Sequence, residues 1–270
     1  MTPELQTVKI DEVDQSILRV TLDRPDRLNA MSNQLIVDLH TALDAIDRDR
    51  GCRVVILTGA GRGFCSGLDL KEVPTARAVG LGRVEAGLDV QHHIASLIPK
   101  LRSLRVPVIA AVNGPAAGGG LALALGSDVR IAAESARFNV AFIKVGLSGC
   151  DIGTSWLLPR LIGAGRAHEL MLTGRIIDAA EADRIGLVSR VVPDSELLDS
   201  ALDTARQIRS NTPLGVWLTK EAMWSALEIP SQRAAIDMEN RQQILASMSD
   251  DMGEAISAFL EKRPADYLRP

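Results

Sequence analysis

Two glycine-marked segments, Phe64-Cys65-Ser66-Gly67-Leu68-Asp69-Leu70 and Asn113-Gly114-Pro115-Ala116-Ala117-Gly118-Gly119-Gly120, each follow an apolar, β-branched run and precede a helical pattern. Residues 54–57 and 108–112 read as buried parallel strands, so each glycine turn falls at a strand's carboxyl end, where open α/β layers place their ligands. Glycines without Cβ leave backbone N–H groups unobstructed there. Two such donors meeting at helix starts could hold a developing oxyanion, the chemistry of an enolate.

The elements around these turns follow from hydrophobic spacing. Residues 8–10 and 17–22 alternate as edge strands of a β-hairpin around the charged turn 11–15. Ser32 is a helix N-cap candidate, and Leu35, Ile36, Leu39, Leu43 and Ile46 recur at helical spacing behind it. Residues 75–87, rich in glycine and lacking a clean period, read as a loop or frayed helix. A helix over about residues 90–104 precedes the second buried strand, and two short strands are expected at 129–132 and 136–139. Repeated β-β-α units account for this order. Beyond about Val192 only helical patterns remain, at 197–208, 214–227, 233–248 and 252–260. The chain therefore divides into an α/β core over 1–195, carrying the site, and a helical region over 196–270. Its apolar faces are served equally by packing on the core or by subunit assembly.

Composition excludes several functions. The chain has 270 residues, 46% hydrophobic and 24% charged, with a net charge of −4, which fits a globular protein and gives no electrostatic footprint for nucleic acid. Arg24, Arg27, Lys71 and Lys100 could still meet an anionic small ligand. Three cysteines, Cys52, Cys65 and Cys150, have no framework spacing, and no apolar run approaches a membrane span. A cytoplasmic protein without membrane attachment is expected. No metal site is expected either, since the four histidines and three cysteines show no ligand spacing. Gly59-Ala60-Gly61-Arg62-Gly63 lacks the spacing and following acid of a dinucleotide fingerprint, and Cys65-Ser66-Gly67 is not a nucleophile elbow.

Several segments together resemble the crotonase superfamily, the enoyl-CoA hydratase/isomerase family, over nearly the whole chain. They are Arg24-Pro25-Asp26-Arg27-Leu28-Asn29-Ala30-Met31, residues 63–70, Pro107 to Gly120, Ser127-Asp128, and Leu172-Thr173-Gly174 with Ala179-Ala180-Glu181-Ala182. The resemblance implies an α/β fold, a crotonase-type spiral of ββα units with a C-terminal helical part. It further implies assembly as a homotrimer or dimer of trimers, a role in fatty acid metabolism and an acyl-CoA thioester as substrate. No cofactor is implied, because CoA is part of the substrate. Carried over by position, the two oxyanion-hole amides fall on Leu68 and Gly119. Arg27, Leu28, Ala30, Ser66, Asp69 and Leu70 match the cradle for the CoA adenine and pantetheine, and Gly118 and Phe142 match substrate-lining positions.

The pattern breaks at the proton-transfer groups. Hydratases of this family use two glutamates, and the matching positions here are Ala122 and Phe142, which cannot move protons. The nearest replacement is Asp151, ahead of an apolar helix. With a one-residue offset it resembles the aspartate of dienoyl-CoA isomerases, which shifts a proton, and that of 4-chlorobenzoyl-CoA dehalogenase, which attacks as a nucleophile. The same residue could instead cap its helix. His92 and His93 lie almost a turn from the dehalogenase's histidine position, which is Ala95 here, and Glu72 and Glu85 are acids near the site. Two functions follow: an acyl-CoA enzyme using Asp151, or a catalytically silent acyl-CoA binder.

Overall fold

The computed structural model of the protein describes residues 5–72, 75, 80 and 82–267. Its main sheet has six strands: β1 (Val8–Asp14), β2 (Ile17–Leu22), β3 (Val54–Gly59), β4 (Val108–Val112), β6 (Val129–Ala133) and β9 (Arg190–Val192), hydrogen-bonded in the order β1-β2-β3-β4-β6-β9. Only the β1–β2 pairing is antiparallel. The hairpin is therefore present, but β2 is an interior strand, paired in parallel with β3. A second sheet of three short strands, β5 (Pro115–Ala117), β7 (Arg137–Asn139) and β8 (Ile177–Asp178), runs beside it.

Successive turns of chain supply a strand to each sheet and then a helix. β4 and β5 lead into α4 (Gly119–Gly126), while β6 and β7 lead into α5 (Thr154–Ile162) and α6 (Ala164–Thr173); β8 is followed by α7 (Ala179–Arg184). This is the expected spiral of ββα units.

Both faces of the main sheet are covered, which is why its central strands read as continuous apolar runs. On one face, Val55 and Leu57 join a core with α1 (Asn33–Arg48), which buries Leu35, Ile36, Leu39, Leu43 and Ile46. Ser32 caps that helix by accepting the Leu35 N–H at 3.2 Å. On the other face, Val54, Ile56, Ile109 and Ile131 meet Leu197, Ala201 and Ala205 of α8 (Leu197–Arg209). α9 (Pro213–Ala226), α10 (Gln232–Ser247) and α11 (Asp250–Glu261) complete the C-terminal part.

Two expectations change. The helix expected at about 90–104 is two helices, α2 (Arg83–Ala95) and α3 (Leu97–Ser103), meeting at Ser96. Of the stretch expected as a loop or frayed helix, residues 83–87 are regular helix, because Glu85 caps α2 by accepting the Gly82 N–H at 3.1 Å. Residues 76–79 and 81 of that stretch lie outside the described residues.

Candidate active site

β3 and β4 run parallel, with Val55 opposite Val108 and Leu57 opposite Ala110, so their carboxyl ends release the two glycine turns at one edge of the sheet. The turns are then sewn together. Cys65 N–H donates to Pro115 O and Ala117 N–H donates to Cys65 O, both at 3.0 Å. The Asn113 amide donates to Gly59 O and Gly61 O at 2.9 Å each. Backbones approach so closely that a Cβ on Gly120 would sit 2.0 Å from Cys65 O. At Gly67, with φ +91°, a Cβ would lie 2.8 Å from Ala117 O, so both the conformation and the space require glycine.

This geometry fixes two donors. Met31 forms a parallel bridge with Leu68, in which Met31 N–H donates to Gly67 O at 2.7 Å and Asp69 N–H donates to Met31 O at 3.1 Å. The pattern leaves the Leu68 N–H directed away from the bridge, and among the described residues it finds no acceptor. Gly119 is the first residue of α4, so its N–H lacks an intrahelical partner, and again none of the described residues accepts it. Gly119 N lies 3.5 Å from the point a Cβ on Gly67 would occupy. Every residue of α4 is buried, so the positive end of its dipole is little screened. One expectation is corrected: Leu68 is not at a helix start, since residues 69–72 after it are not helical, and a strand-like bridge orients its amide instead.

The expected cradle surrounds the Leu68 turn. Pro25–Arg27 form a 3₁₀ turn, followed by Leu28 and Asn29 in left-handed backbone at φ 48° and 55°. Asn29 is fully buried; its side chain accepts the Arg24 N–H at 2.8 Å and donates to Gly63 O at 2.7 Å, tying this loop to the turn after β3. Ser66 N–H donates to Leu28 O at 3.0 Å. Ala30 is buried, Ser66 and Leu28 are half-buried, and Arg27 and Leu70 stand exposed at the rim.

Asp69 is engaged with the protein itself: Arg24 donates to its Oδ2 at 2.9 Å, and Lys71 N–H donates to Oδ1 at 3.0 Å. Burial alone would raise its carboxyl, but the Arg24 guanidinium and these amides outweigh burial and hold it below the usual carboxylate range. Arg24 also pairs with Glu72 at 3.0 Å. Asn29 and Arg24 are thus the organisers of the loop, and the tolerance of asparagine for left-handed backbone was the available signal.

On the other side, Gly118 packs against Phe142: a Cβ on Gly118 would lie 3.4 Å from the ring. Phe142 is buried in the 3₁₀ turn Ala141–Val145, and Ala122 is buried in α4. Asp151 follows this turn, half-buried. It does not cap α5, whose N-cap is Gly153 without a side-chain bond. Its Oδ1 instead accepts the Ile152 N–H at 2.8 Å and the side-chain amide of Gln91 on α2. Ile152 holds a left-handed φ of 45°, an uncommon conformation for a β-branched residue, and its Cδ1 lies 3.5 Å from the Cβ point of Gly119. The Asp151 segment therefore abuts the second donor. Ile152 also lines a cavity of about 640 Å³ with Ile98, Arg102 and Trp156.

Three of the remaining candidates, His93, Glu85 and Lys100, are engaged elsewhere. His93 stacks on His40 with ring centroids 4.5 Å apart, Glu85 caps α2, and Lys100 pairs with Asp44 at 2.7 Å. Cys65 is buried, and burial pushes its thiol up to about 12, away from nucleophilic use. Among the described residues, no group of three His, Cys, Asp or Glu converges as metal ligands, and no helix is long and apolar enough to cross a membrane.

The enoyl-CoA hydratase/isomerase family model matches residues 12–269. A Mycobacterium bovis protein named probable enoyl-CoA hydratase EchA12 is 44% identical over 258 residues, covering 95% of this chain and 90% of the relative. The 1,2-epoxyphenylacetyl-CoA isomerase of Escherichia coli K12 is 41% identical over 261 residues, covering 96% of this chain and 97% of the relative. A crystal structure of a probable enoyl-CoA hydratase/isomerase from Mycobacterium abscessus superposes with a TM-score of 0.91 at 40% identity, covering 97% of this chain and 99% of that one. The chain belongs to the enoyl-CoA hydratase/isomerase family.

Proposed function

We propose that the protein binds an acyl-CoA thioester, holds its carbonyl oxygen between the Leu68 and Gly119 amides, and moves a proton along the acyl chain with Asp151. The observation that carries this reading is that neither the Leu68 N–H nor the Gly119 N–H finds an acceptor among the described residues, with Gly119 N 3.5 Å from the Cβ point of Gly67, the residue before Leu68. Negative charge developing on a thioester oxygen during enolisation is what two such donors serve best. Loss of one such donor typically costs about 2.7–4 kcal/mol of transition-state stabilisation.

Isomerisation is the reaction we favour. Hydration needs one group to activate water and another to deliver a proton, and Ala122 and Phe142 occupy the two glutamate positions. A double-bond shift needs one carboxylate: Asp151 takes a proton from one carbon, the enolate forms, and the same proton returns to another carbon two bonds away. The Escherichia coli relative is likewise named an isomerase, of 1,2-epoxyphenylacetyl-CoA. CoA is cradled by the backbone and side chains of Arg27, Leu28, Ala30, Ser66 and Leu70, with Asp69 shaping the turn that presents Leu68. Gly118 and Phe142 line the acyl side. The reading needs no cofactor and places the protein in the cytoplasm, acting in fatty acid metabolism as a homotrimer or pair of trimers.

Turnover of a panel of enoyl- and dienoyl-CoA thioesters by the protein and its Asp151→Asn variant tests this. Double-bond migration lost in the variant is the expected result; equal rates would remove Asp151 from the mechanism. Binding across the panel without any product would establish the silent binder that the missing glutamates would equally permit.

A further inference from the structure

Asp151 is held in an asymmetric way. Its Oδ1 takes two donors, the Ile152 N–H and the Gln91 side-chain amide, while among the described residues nothing donates to Oδ2. One oxygen is thereby fixed and the other left for a ligand. The Gln91 contact joins residues 60 positions apart and brings α2 to the loop ahead of α5. α2 buries Ile94 and packs Val90 and Ala95 against the core, while Gln91 itself is exposed. Among the described residues, the side-chain partner of Gln91 is Asp151.

We infer that Gln91 is a positioning residue for Asp151, an inference that rests on the reading of Asp151 as the proton carrier. The chemistry of the amide suits this task. Its NH₂ end donates to an ionised carboxylate, and after a flip of the terminal amide its carbonyl end accepts from a protonated one. A glutamine can therefore keep hold of Asp151 through both halves of a proton shuttle. A lysine or arginine would serve only the charged form.

A double-mutant cycle tests the role. Wild type, Gln91→Met, Asp151→Asn and the double variant are compared for solvent-deuterium incorporation into enoyl-CoA thioesters, for kcat of double-bond migration, and for calorimetric binding of a saturated acyl-CoA. Methionine keeps the length of glutamine without its donor, and the exposed position makes unfolding an improbable outcome, which a melting curve checks. Gln91→Met should lower kcat and exchange about 10- to 100-fold, as loss of a hydrogen bond to a charged group does, with saturated acyl-CoA binding unchanged. In the Asp151→Asn background the same substitution should have no further effect.

The failures are distinguishable. No exchange by wild type, or no loss in Asp151→Asn, overturns the reading of Asp151 and the role of Gln91 with it. A loss in Asp151→Asn alongside full activity in Gln91→Met overturns only the role of Gln91. Losses that multiply in the double variant would show that Gln91 acts on something other than Asp151, and overturn that role as well.

Discussion

At Gly67 the demands of backbone and chemistry coincide. The left-handed φ of +91° and the nearby Ala117 carbonyl exclude a side chain, and the same bend sits between Leu68 and the start of α4, with Gly119 N 3.5 Å from the point a Cβ on Gly67 would occupy. Gly67→Ala should destabilise the fold by about 1–3 kcal/mol, from left-handed strain alone, and should reduce turnover beyond what lost folding explains; denaturant titration and kcat on the same samples separate the two.

Asp69 offers a test by pH. Its folded carboxyl lies below the ordinary range, so its contribution to stability is complete above the unfolded value, about 3.9, and disappears as pH falls through the lower folded value. Between about pH 5 and 3, wild type should lose more stability than Asp69→Asn, whose acid limb flattens; parallel curves would mean that the Arg24–Asp69 pair contributes nothing. Here the sequence was informative in part. The glycines were readable because their cause is local, a turn without room for Cβ. The roles of Asn29, Arg24 and Gln91 were not, because each is set by a partner 30 or more residues away.

The C-terminal helices are fastened to the sheet by a buried polar staple. Lys220 on α9 is 2% exposed and donates to Leu101 O at 3.0 Å, Val106 O at 2.9 Å and Asp128 Oδ2 at 2.9 Å. Asp128 also accepts the Trp224 indole N–H at 2.6 Å and the Val108 N–H at 2.7 Å. Burial pulls the Lys220 ammonium below its ordinary range, an effect the Asp128 charge opposes. Lys220→Met would leave Asp128 buried without its cation, and such a loss typically costs about 3–5 kcal/mol. Chemical denaturation should show that drop, with hydrogen exchange accelerated first in α9; a cost under about 1 kcal/mol would mean the staple is dispensable.

Long periodic elements such as α1 and α8 were legible from apolar spacing. β5 and β8, of three and two residues, carry no period to read, and the break at Ser96 lies inside a continuous apolar pattern. Ladder pairing and capping decide those boundaries, and both are properties of the folded chain.

The most exposed apolar side chains of the C-terminal part lie on α10, α11 and the link between them, with Met248 80%, Phe259 83% and Leu260 73% exposed, and Ile244 and Leu245 exposed as well. A surface of this kind calls for a partner, and a second and third copy are the partners we propose. Light scattering after size exclusion should give three or six times the 29.0 kDa chain mass, and Phe259→Asp with Leu260→Asp should reduce it. A wild-type mass of one chain would contradict the assembly. From sequence the apolar faces could be seen but not apportioned between core and interface, and the fold resolves this for α8, which seals the sheet.

Two amides polarising one carbonyl are the centre of the proposed chemistry. Isotope-edited infrared spectroscopy of saturated acyl-CoA thioesters carrying ¹³C at the thioester carbonyl, over a series of chain lengths, reads that interaction without requiring a reaction. The account predicts that binding moves the carbonyl band below its position in water, and that Gly67→Ala diminishes the shift. A bound thioester whose carbonyl band stays at its aqueous position would contradict the oxyanion site at Leu68 and Gly119.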